Sequence, residues 1–442
     1  MVMVPTNTRA LPLTTNALEW LFGVVNAVQG SQKPQVFQDS LQELVKKFAA
    51  LAPDGSNVPR FLRAAHEIGI PYAELPGTLY QFGHGARARW MDSSFTDETP
   101  QIAARLARNK VLSAAILRRA GIPVPEHALV TSVEEALTTA TALGYPVVVK
   151  PADRDGGVGV AAELLTPDEV QDSYAAAQAH SKKILVEKHI EGKDYRLTVF
   201  QDEVIWAIER VPGGITGNGS NTVRQLVEQL NADPLRGTGK HAPLQQLTLD
   251  AEAEALLLRA GMDSNSVPPS GSFVRLRRAA NVASGGTPLA VFDQIHPDNR
   301  LLAVRAAAAL RLDLAGVDLL IPDIGHSWKE SGAAVCEVNA QPNLGQRTAA
   351  HLYAQILRKL RDQQQRAQQQ HAARIDWRDG TGVPFLGDTV IVLLDPRGTG
   401  VVLDNGEDNG LPGVPRLLLR VALPHTATPE QIRDAVQSWL QR

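Results

Sequence analysis

The segment that decides the fold covers residues 316–345, GVDLLIPDIGHSWKESGAAVCEVNAQPNLG. Residues 317–321 and 333–338 form two apolar runs. The residues between them, from 325 to 332, are rich in glycine, serine and charge, which is turn composition. We therefore predict two short strands joined by a polar turn.

Three oxygen-bearing side chains fall on this predicted hairpin. Strand side chains alternate between the faces of a sheet, so Glu337 and Asn339 would share a face, with Val335 before them on it. Antiparallel pairing could bring Asp318 opposite them. Two carboxylates and an amide oxygen are hard ligands suited to Mg²⁺ that bridges phosphates. The alternative is a solvated hairpin with ordinary edge charges, and this segment alone leaves both readings open.

Composition and charge are those of a globular protein without a polyanion partner. The chain has 442 residues, 44% hydrophobic and 21% charged, with a formal net charge of −3. This length suits roughly two or three domains, and the charge gives no case for nucleic acid or an anionic membrane. The single cysteine, Cys336, excludes an internal disulfide framework and a cysteine metal cluster, and we expect it to pack in the strand core. We see no signal peptide and no apolar stretch of membrane-spanning length, so we expect a cytoplasmic enzyme.

The chain divides into three predicted regions. Residues 1–75 are mainly helical, residues 76–360 carry the motifs that suggest chemistry, and residues 373–442 form a small α/β unit whose last helix is capped by Thr428. Within the middle region, residues 211–222, VPGGITGNGSNT, predict a long loop with four glycines. A polar insert follows and extends to residue 269.

A second informative segment covers residues 145–163, YPVVVKPADRDGGVGVAAE. It predicts a strand ending near Lys150, a glycine-rich loop at 153–157 and a returning strand. Glycines let backbone N–H groups approach an anion, and a lysine beside such a loop suits phosphate. The segment is neither a P-loop, because G-K-[ST] is missing, nor a Rossmann fingerprint, because the glycine spacing differs. A plain β-turn is the alternative for this segment taken alone.

The order of these motifs resembles that of the ATP-grasp ligases over residues 75–360. The resemblance is greatest to the ATP-grasp half of cyanophycin synthetases and to the glutathione-synthetase module of bifunctional bacterial enzymes. It rests on the segments FGHGARARW, ARNKVLSAAILRRAGIPVPEH, VVVKPADRDGGVGV, LVEKHIEGKDYRL, ERVPGGITGNGSNTVRQL, VRLRRAANVASGGTPLAVFDQIHPDN, GVDLLIPD and CEVNAQPNLG.

The resemblance implies an α+β ATP-grasp fold, in which two α+β subdomains grip ATP. The lid subdomain would cover about 145–205, within a catalytic domain at 76–360. A helical N-terminal region (1–75) and a small α/β appendage (373–442) would flank it.

The resemblance also implies a role for each matching residue. ATP would be held by Lys110, Lys150, the loop glycines Gly156, Gly157 and Gly159, Glu187 at the adenine amino group, backbone groups of Lys188 and Ile190, and Asp194 at the ribose. Arg196 and Arg210 would lie near the γ-phosphate and the acyl substrate. The acyl phosphate or the incoming carboxylate would be stabilised by Arg277, Asn281 and the turn Ser284-Gly285-Gly286. Mg²⁺, with two ions expected, would be bound by Asp318, Glu337 and Asn339.

The implied reaction is ATP-dependent formation of an amide or peptide bond between amino acids or small peptides, through an acyl phosphate, with release of ADP and phosphate. The resemblance also implies a homo-oligomer, a dimer or a tetramer. Three alternatives stay open: a non-catalytic ATP-binding regulatory or scaffold module, a kinase that stops at the acyl phosphate, and a partial polymer ligase of the cyanophycin type. Pro342-Asn343 departs from the proline-glycine usual after E-V-N in the family, and the sequence has no G-K-[ST] loop of a second ligase module.

Overall fold

The structure is a computed structural model that describes residues 11–29, 35–50, 57–84, 88–154, 158–238, 242, 244–280, 282–344, 349–372, 377–378, 382–385, 388–405 and 417–440. The chain divides into two units, one formed by Met1–Asp92 with Tyr353–Arg442 and the other by Ser93–Leu352. The residues proposed to bind ATP, the acyl group and Mg²⁺ belong to the second unit, whereas the motif FGHGARARW belongs to the first. No helix in the described part of the chain is long and apolar enough to cross a membrane.

The first unit begins with three helices and a small sheet. Its elements are α1 (Leu11–Gln29), α2 (Gln35–Ala50), α3 (Asn57–Glu67), β1 (Tyr72–Glu74), β2 (Leu79–Phe82) and β3 (Arg89–Asp92). Strand β2 pairs antiparallel with β1 and β3. Helix α3 buries Phe61, Ala64 and Ala65, whose spacing of three and four residues places them on one face. The ring of Phe61 meets that of Tyr353, from the returning part of the same unit, edge to face with centroids 4.8 Å apart.

The second unit opens with two helices and a four-stranded sheet. Its first elements are β4 (Phe95–Thr96), α4 (Gln101–Arg108), α5 (Lys110–Arg119), β5 (His127–Val130), α6 (Val133–Leu143), β6 (Val147–Pro151), β7 (Ala161–Leu164), α7 (Pro167–Gln178) and β8 (Ile184–Lys188). The strands pair in the order β5-β8-β6-β7, and we call them the lid sheet after their predicted role. Helix α7 starts in a capping box, in which Thr166 and Glu169 bind each other's backbone N–H.

A five-stranded sheet, the central sheet, follows. The remaining elements of the unit are β9 (Lys193–Phe200), β10 (Glu203–Val211), β11 (Gly214–Thr216), α8 (Val223–Asn231), β12 (Arg236–Gly237), β13 (Leu244–Gln245), α9 (Ala251–Arg259), β14 (Phe273–Arg275), β15 (Thr287–Ala290), α10 (Pro297–Ala309), β16 (Leu314–Ile321), α11 (Trp328–Ser331) and β17 (Ala334–Asn339). The central sheet has the order β15-β10-β9-β16-β17. Apolar side chains of α4, α5 and α10 bury one of its faces.

The predicted hairpin of 316–345 is confirmed as the antiparallel pair β16–β17, and Asp318 lies directly opposite Glu337. The expectation that Val335 shares a face with Glu337 and Asn339 was wrong. The register shifts after Asp318, because Leu319 pairs with Val335 and leaves Cys336 as an extra residue. Val335 therefore belongs to the core, whereas Cys336 lines the opposite side with Glu337.

Two further expectations need correction. Residues 211–222 are not loop throughout, because Gly214–Thr216 forms β11, which pairs antiparallel with β14. The polar turn between β16 and β17 contains a short helix, α11, at whose start the Ser327 hydroxyl accepts a hydrogen bond from the Lys329 N–H. In the first case the partner is a strand far along the chain and in the second it is a side-chain hydroxyl, and composition alone reveals neither.

The chain returns to the first unit through α12 (His351–Ala372), which is followed by β18 (Gly382–Phe385), β19 (Asp388–Leu394), β20 (Val401–Asn405), β21 (Leu417–Val421) and α13 (Pro429–Leu440). The strands form a sheet of order β18-β19-β21-β20. As predicted, Thr428 caps the last helix, since its hydroxyl accepts from the Gln431 N–H at 3.4 Å.

Candidate active site

The second unit contains a cleft of about 830 Å³ between the lid sheet and the central sheet. Its walls carry nine basic side chains: Lys110, Lys150, Arg154, Lys188, Lys193, Arg196, Arg210, Arg275 and Arg278. Most of the predicted site residues lie here. Those that line the cleft are Lys110, Lys150, Glu187, Lys188, Ile190, Asp194, Arg196, Arg210, Asp318, Glu337 and Asn339.

Two lysines reach the cleft from different elements, and each is paired with a carboxylate. Lys150, near the end of β6, binds Glu187 of the neighbouring strand β8 at 2.8 Å. Lys110, at the first position of α5, lies 3.2 Å from Glu337 and donates to the Arg154 carbonyl at 2.7 Å. Burial lowers the pKa of Lys150, but the charge of Glu187, its hydrogen bond to the lysine and the charge of Glu337 act together to raise the pKa above its ordinary value, so this lysine is a fixed cation.

At the centre of the cleft, two arginines hold one buried carboxylate. The strand register places Asp318 beside Arg196 on β9, and Arg196 pairs with it through both Nε and Nη2. Arg210 on β10 bridges Asp318 and Asp194, at 2.9 Å and 2.6 Å. Burial raises the pKa of Asp318, but the two guanidinium groups lower it further, so the carboxyl stays ionised. The same carboxylates raise the pKa of Arg210 against the effect of burial.

Close approach of the strands makes this arrangement possible. Gly316 lies opposite Asn339 on β17 and beside Thr198 on β9. A Cβ atom at Gly316 would lie 3.0 Å from both Cδ and Nη1 of Arg196. The missing side chain therefore leaves the space in which the arginine lies across the sheet.

The predicted metal ligands fit a divalent cation unequally. The Asn339 amide nitrogen is buried and has no hydrogen-bond partner among the described residues, so nothing there fixes the orientation of its amide. Glu337 adds a carboxylate with a single lysine partner. Asp318 is more constrained, because three guanidinium contacts fill most of its roughly four lone-pair sites. In the described part of the chain, no group of three His, Cys, Asp or Glu side chains is arranged to hold a metal ion.

The segment after β8 enters the cleft at its other end. The Lys188 N–H donates to the Glu126 carbonyl at 2.8 Å, and its ammonium binds the Gly144 and Tyr145 carbonyls at 2.8 and 3.2 Å. The Lys188 carbonyl, rather than its N–H, is therefore the backbone group left for a ligand. Cys336 also lines this wall, contrary to its predicted place in the core, and burial raises the pKa of its thiol well above the usual range.

Some predicted residues lie elsewhere. Arg277 does not reach the cleft: its side chain is buried against the insert, where Nη2 donates to Asp250 at 2.9 Å and to the Thr248 carbonyl at 2.9 Å. Gly159 follows the glycine-rich loop with φ +69°, and a Cβ there would be 3.0 Å from both Pro151 and His180. Gly156, Gly157 and Asn281 lie outside the described residues.

The predicted site residues do not include several polar residues that line the cleft, among them Glu163, His189, Arg275 and Arg278. Arg275 and Arg278 flank the predicted Arg277. The segment leaves the strand after Arg275, so the alternation of faces that applies within a strand does not tell which arginine faces the ligand. Glu163 lies on β7, the returning strand of the lid sheet, and pairs with Arg275.

The chain is similar to known proteins in both sequence and fold. The family model described as D-ala D-ala ligase C-terminus matches residues 116–215, which contain the whole lid sheet together with β9 and β10. The crystal structure of a bifunctional glutathione synthetase from Pasteurella multocida superposes with a TM-score of 0.52 and 25% identity, over 74% of this chain and 46% of that one. The fold of this chain is therefore of the ATP-grasp type.

Within that class, the sequence is similar to cyanophycin synthetases. The protein of that name from Nostoc is 37% identical over 292 residues, which are 65% of this chain and 32% of the relative. The glutathione biosynthesis bifunctional protein of Desulfotalea psychrophila is 31% identical over 263 residues, 58% of this chain and 34% of that protein. The resemblance predicted from the motifs is confirmed. The chain spans about a third of the length of these curated relatives.

Proposed function

We propose that this chain is an ATP-dependent carboxylate–amine ligase that forms an amide bond between amino acids or small peptides and releases ADP and phosphate. The observation that carries the proposal is the convergence of Lys110, Lys150, Arg196 and Arg210 on one cleft between the lid and central sheets. ATP brings about four negative charges, and such an array suits its phosphates. The names of the relatives, cyanophycin synthetase and glutathione biosynthesis bifunctional protein, support the class of substrate.

The proposed reaction has two displacement steps and needs no protein nucleophile. A carboxylate oxygen of the donor attacks the γ-phosphorus, the bond to the ADP oxygen breaks, and an acyl phosphate forms. The amine of the acceptor attacks the acyl carbon, the bond to the phosphate oxygen breaks, and the amine loses a proton. Positioning and charge stabilisation are the protein's main contributions to such a reaction.

We assign the roles as follows. Lys110 and Lys150 bind phosphate oxygens, which replace Glu337 and Glu187 as their partners. Glu187, the Lys188 carbonyl and the backbone of Ile190 bind the adenine, and Asp194 binds the ribose. Arg196 and Arg210 face the γ-phosphoryl group that is transferred, and the loop with Gly156, Gly157 and Gly159 covers the phosphates.

Mg²⁺ completes the proposed site. Glu337 and Asn339 would hold it, with Asp318 contributing its remaining lone-pair site, and two ions fit the proposal better than one. The metal would screen the phosphate charge during transfer. Asn281 and the turn at 284–286 remain proposed contacts of the acyl group, whereas the contacts of Arg277 argue for a structural role.

We also propose the wider setting of the enzyme. The catalytic domain covers 76–360 with a lid at about 145–205, flanked by the helical region 1–75 and the α/β unit 373–442. The protein acts in the cytoplasm as a dimer or tetramer on small molecules, without a nucleic-acid or membrane partner.

A coupled assay tests the proposal. The purified full chain receives Mg-ATP and pairs of amino acids, and both inorganic phosphate and the mass of any new amide are measured. Phosphate should appear only when donor and acceptor are both present. Lys150→Ala and Glu337→Ala should abolish turnover, whereas the exposed controls Lys329→Ala and Glu330→Ala should retain it.

Three results would count against the ligase. Full turnover in Lys150→Ala or Glu337→Ala would remove the site assignment. A hydroxamate trapped from an acyl phosphate, with no amide on any amine, would point to a kinase. Saturable Mg-ATP binding without turnover on any pair would indicate a non-catalytic module.

A further inference from the structure

One basic side chain in the cleft differs from all the others. Eight of the nine make an ion pair or a hydrogen bond with a protein acceptor, as Lys188 does with two carbonyls and Arg154 does with the His180 carbonyl. Arg278 is half-buried and lines the cleft, yet its guanidinium has no protein acceptor within the ranges that the structure describes. A half-buried cation without a protein acceptor is well suited to bind a ligand anion.

The backbone of Arg278 is held on both sides. Its N–H donates to Glu252 at 2.9 Å, and its carbonyl accepts from Arg275 Nη2 at 2.5 Å. Arg275 also donates to the Arg277 carbonyl at 2.9 Å and pairs with Glu163 of the lid sheet. The segment is therefore fixed while the Arg278 side chain stays available, which is the arrangement expected of a preorganised receptor.

The position of Arg278 places it near the acyl end of the proposed reaction. The Gly213 carbonyl accepts from the N–H groups of Leu276 and Arg277 at 2.8 and 2.9 Å, which ties this segment to the chain three residues after Arg210. The next two residues, Ala279 and Ala280, also line the cleft. Arg278, these two short side chains and Arg210 line the same cleft.

We infer that Arg278 binds a substrate carboxylate that does not react, such as the free α-carboxylate of an amino acid or peptide. The inference rests on the proposed ligase function and narrows its substrate class. The reacting carboxylate faces Arg210, and a second carboxylate on the same or the partner substrate reaches Arg278. The planar guanidinium offers a bidentate contact that a carboxylate matches and a carboxamide does not.

The test compares carboxylate and carboxamide forms of the substrates in wild type and in Arg278→Gln. The probes are L-amino acids and their α-carboxamides as acceptors, and aspartate, glutamate and their α-carboxamides as donors, because these donors keep a side-chain carboxylate that can react; phosphate release is the readout. Loss of a charge-assisted hydrogen bond should raise KM for the carboxylate form about 10- to 100-fold in the variant. KM for the carboxamide and for ATP should not change. If the carboxamide raises KM of the wild-type enzyme in one role only, donor or acceptor, that role identifies the substrate that Arg278 binds.

Two further variants make the test specific. Arg278→Lys keeps the positive charge but cannot make the bidentate contact, so its KM for the carboxylate form should lie between those of wild type and Arg278→Gln. Arg224→Gln changes an exposed arginine of α8 outside the cleft, and it should behave as wild type. Equal thermal unfolding midpoints show that Arg278→Gln is folded.

The outcomes separate this inference from the ligase proposal. Arg278→Gln could turn over with unchanged KM for both the carboxylate and the carboxamide forms, or with a raised KM for ATP alone. Either result would overturn the inference but would not contradict the ligase proposal. Saturable amino-acid binding by calorimetry without turnover, weakened in the variant, would support Arg278 and overturn the ligase. Neither turnover nor binding with the whole panel would overturn both.

Discussion

Replacing Asp318 with asparagine removes the charge that two buried arginines share. The Asp318 carboxylate forms ion pairs with both Arg196 and Arg210, and the residue is 4% exposed. Arg196 has no other carboxylate partner in the described chain, whereas Arg210 keeps Asp194. The variant would therefore leave Arg196 without a carboxylate partner among the described residues and Arg210 with Asp194 alone.

The expected loss follows from known buried pairs. Removing one partner of a buried ion pair costs about 3–5 kcal/mol, because the remaining charge stays desolvated. For a unit of this size, about 2 °C of unfolding midpoint corresponds to 1 kcal/mol. Asp318→Asn should therefore lower the thermal midpoint of the unit Ser93–Leu352 by about 6–10 °C.

The loss should depend on pH in one direction. Because the arginines lower the folded-state pKa of Asp318, its stabilisation is complete above the ordinary carboxyl pKa and disappears as pH falls through the folded-state pKa. The difference in unfolding free energy between wild type and variant should stay constant from about pH 8 to about pH 5 and shrink below about pH 4.

Urea titrations of the full chain at several pH values measure this difference, and calorimetry gives the midpoints. Asp323→Asn is the matched control, because Asp323 pairs with His326 on the exposed surface and its loss should be far smaller. Asp194→Asn should also cost less, since Arg210 keeps Asp318. Equal destabilisation by all three substitutions, or a difference that grows towards low pH, would refute the electrostatic argument.

Three other substitutions test the local structure and the metal proposal. Gly192→Ala should destabilise strongly in urea titration, because its φ is +151° and a Cβ would lie 2.7 Å from the Ile321 backbone; the open Gly23→Ala should not. Thr166→Ala removes the cap of α7 and should cost about 1 kcal/mol in the same titration; a loss of zero would argue against the capping box. Glu337→Gln should raise the Mg²⁺ concentration for half-maximal turnover, and an unchanged Mg²⁺ dependence would remove Glu337 from the proposed metal site.

Some features of the hairpin follow from the composition of the sequence, and others depend on the register of the strands. The pairing of Asp318 with Glu337 could be predicted, since two apolar runs around a polar turn favour an antiparallel hairpin. The bulge at Cys336 could not, because a one-residue register shift leaves no mark in composition and yet changes which residues share a face.

The arginines of 275–278 show the same limit at the site itself. Resemblance selected Arg277, yet Asp250 and Thr248 of the insert bind its guanidinium, while Arg278 faces the cleft. The deciding contacts come from residues about 30 positions earlier in the chain, so no window around the motif contains them.

The pairing within the cleft accounts for both folding and the proposed catalysis. Lysines and arginines buried without partners would destabilise the unit, and Glu187, Glu337 and Asp318 prevent this by neutralising them. Each such carboxylate also competes with phosphate for the same cation, so it lowers affinity for the nucleotide. Glu337 differs from the other two because it is a proposed metal ligand whose ion pair, in the described part of the chain, is with a lysine, so moving Glu337 from Lys110 to Mg²⁺ would let phosphate take its place beside the ammonium group. Metal and nucleotide should therefore bind cooperatively, and in isothermal titration Glu337→Gln should weaken the dependence of ATP affinity on Mg²⁺ while leaving ATP binding without metal unchanged or tighter.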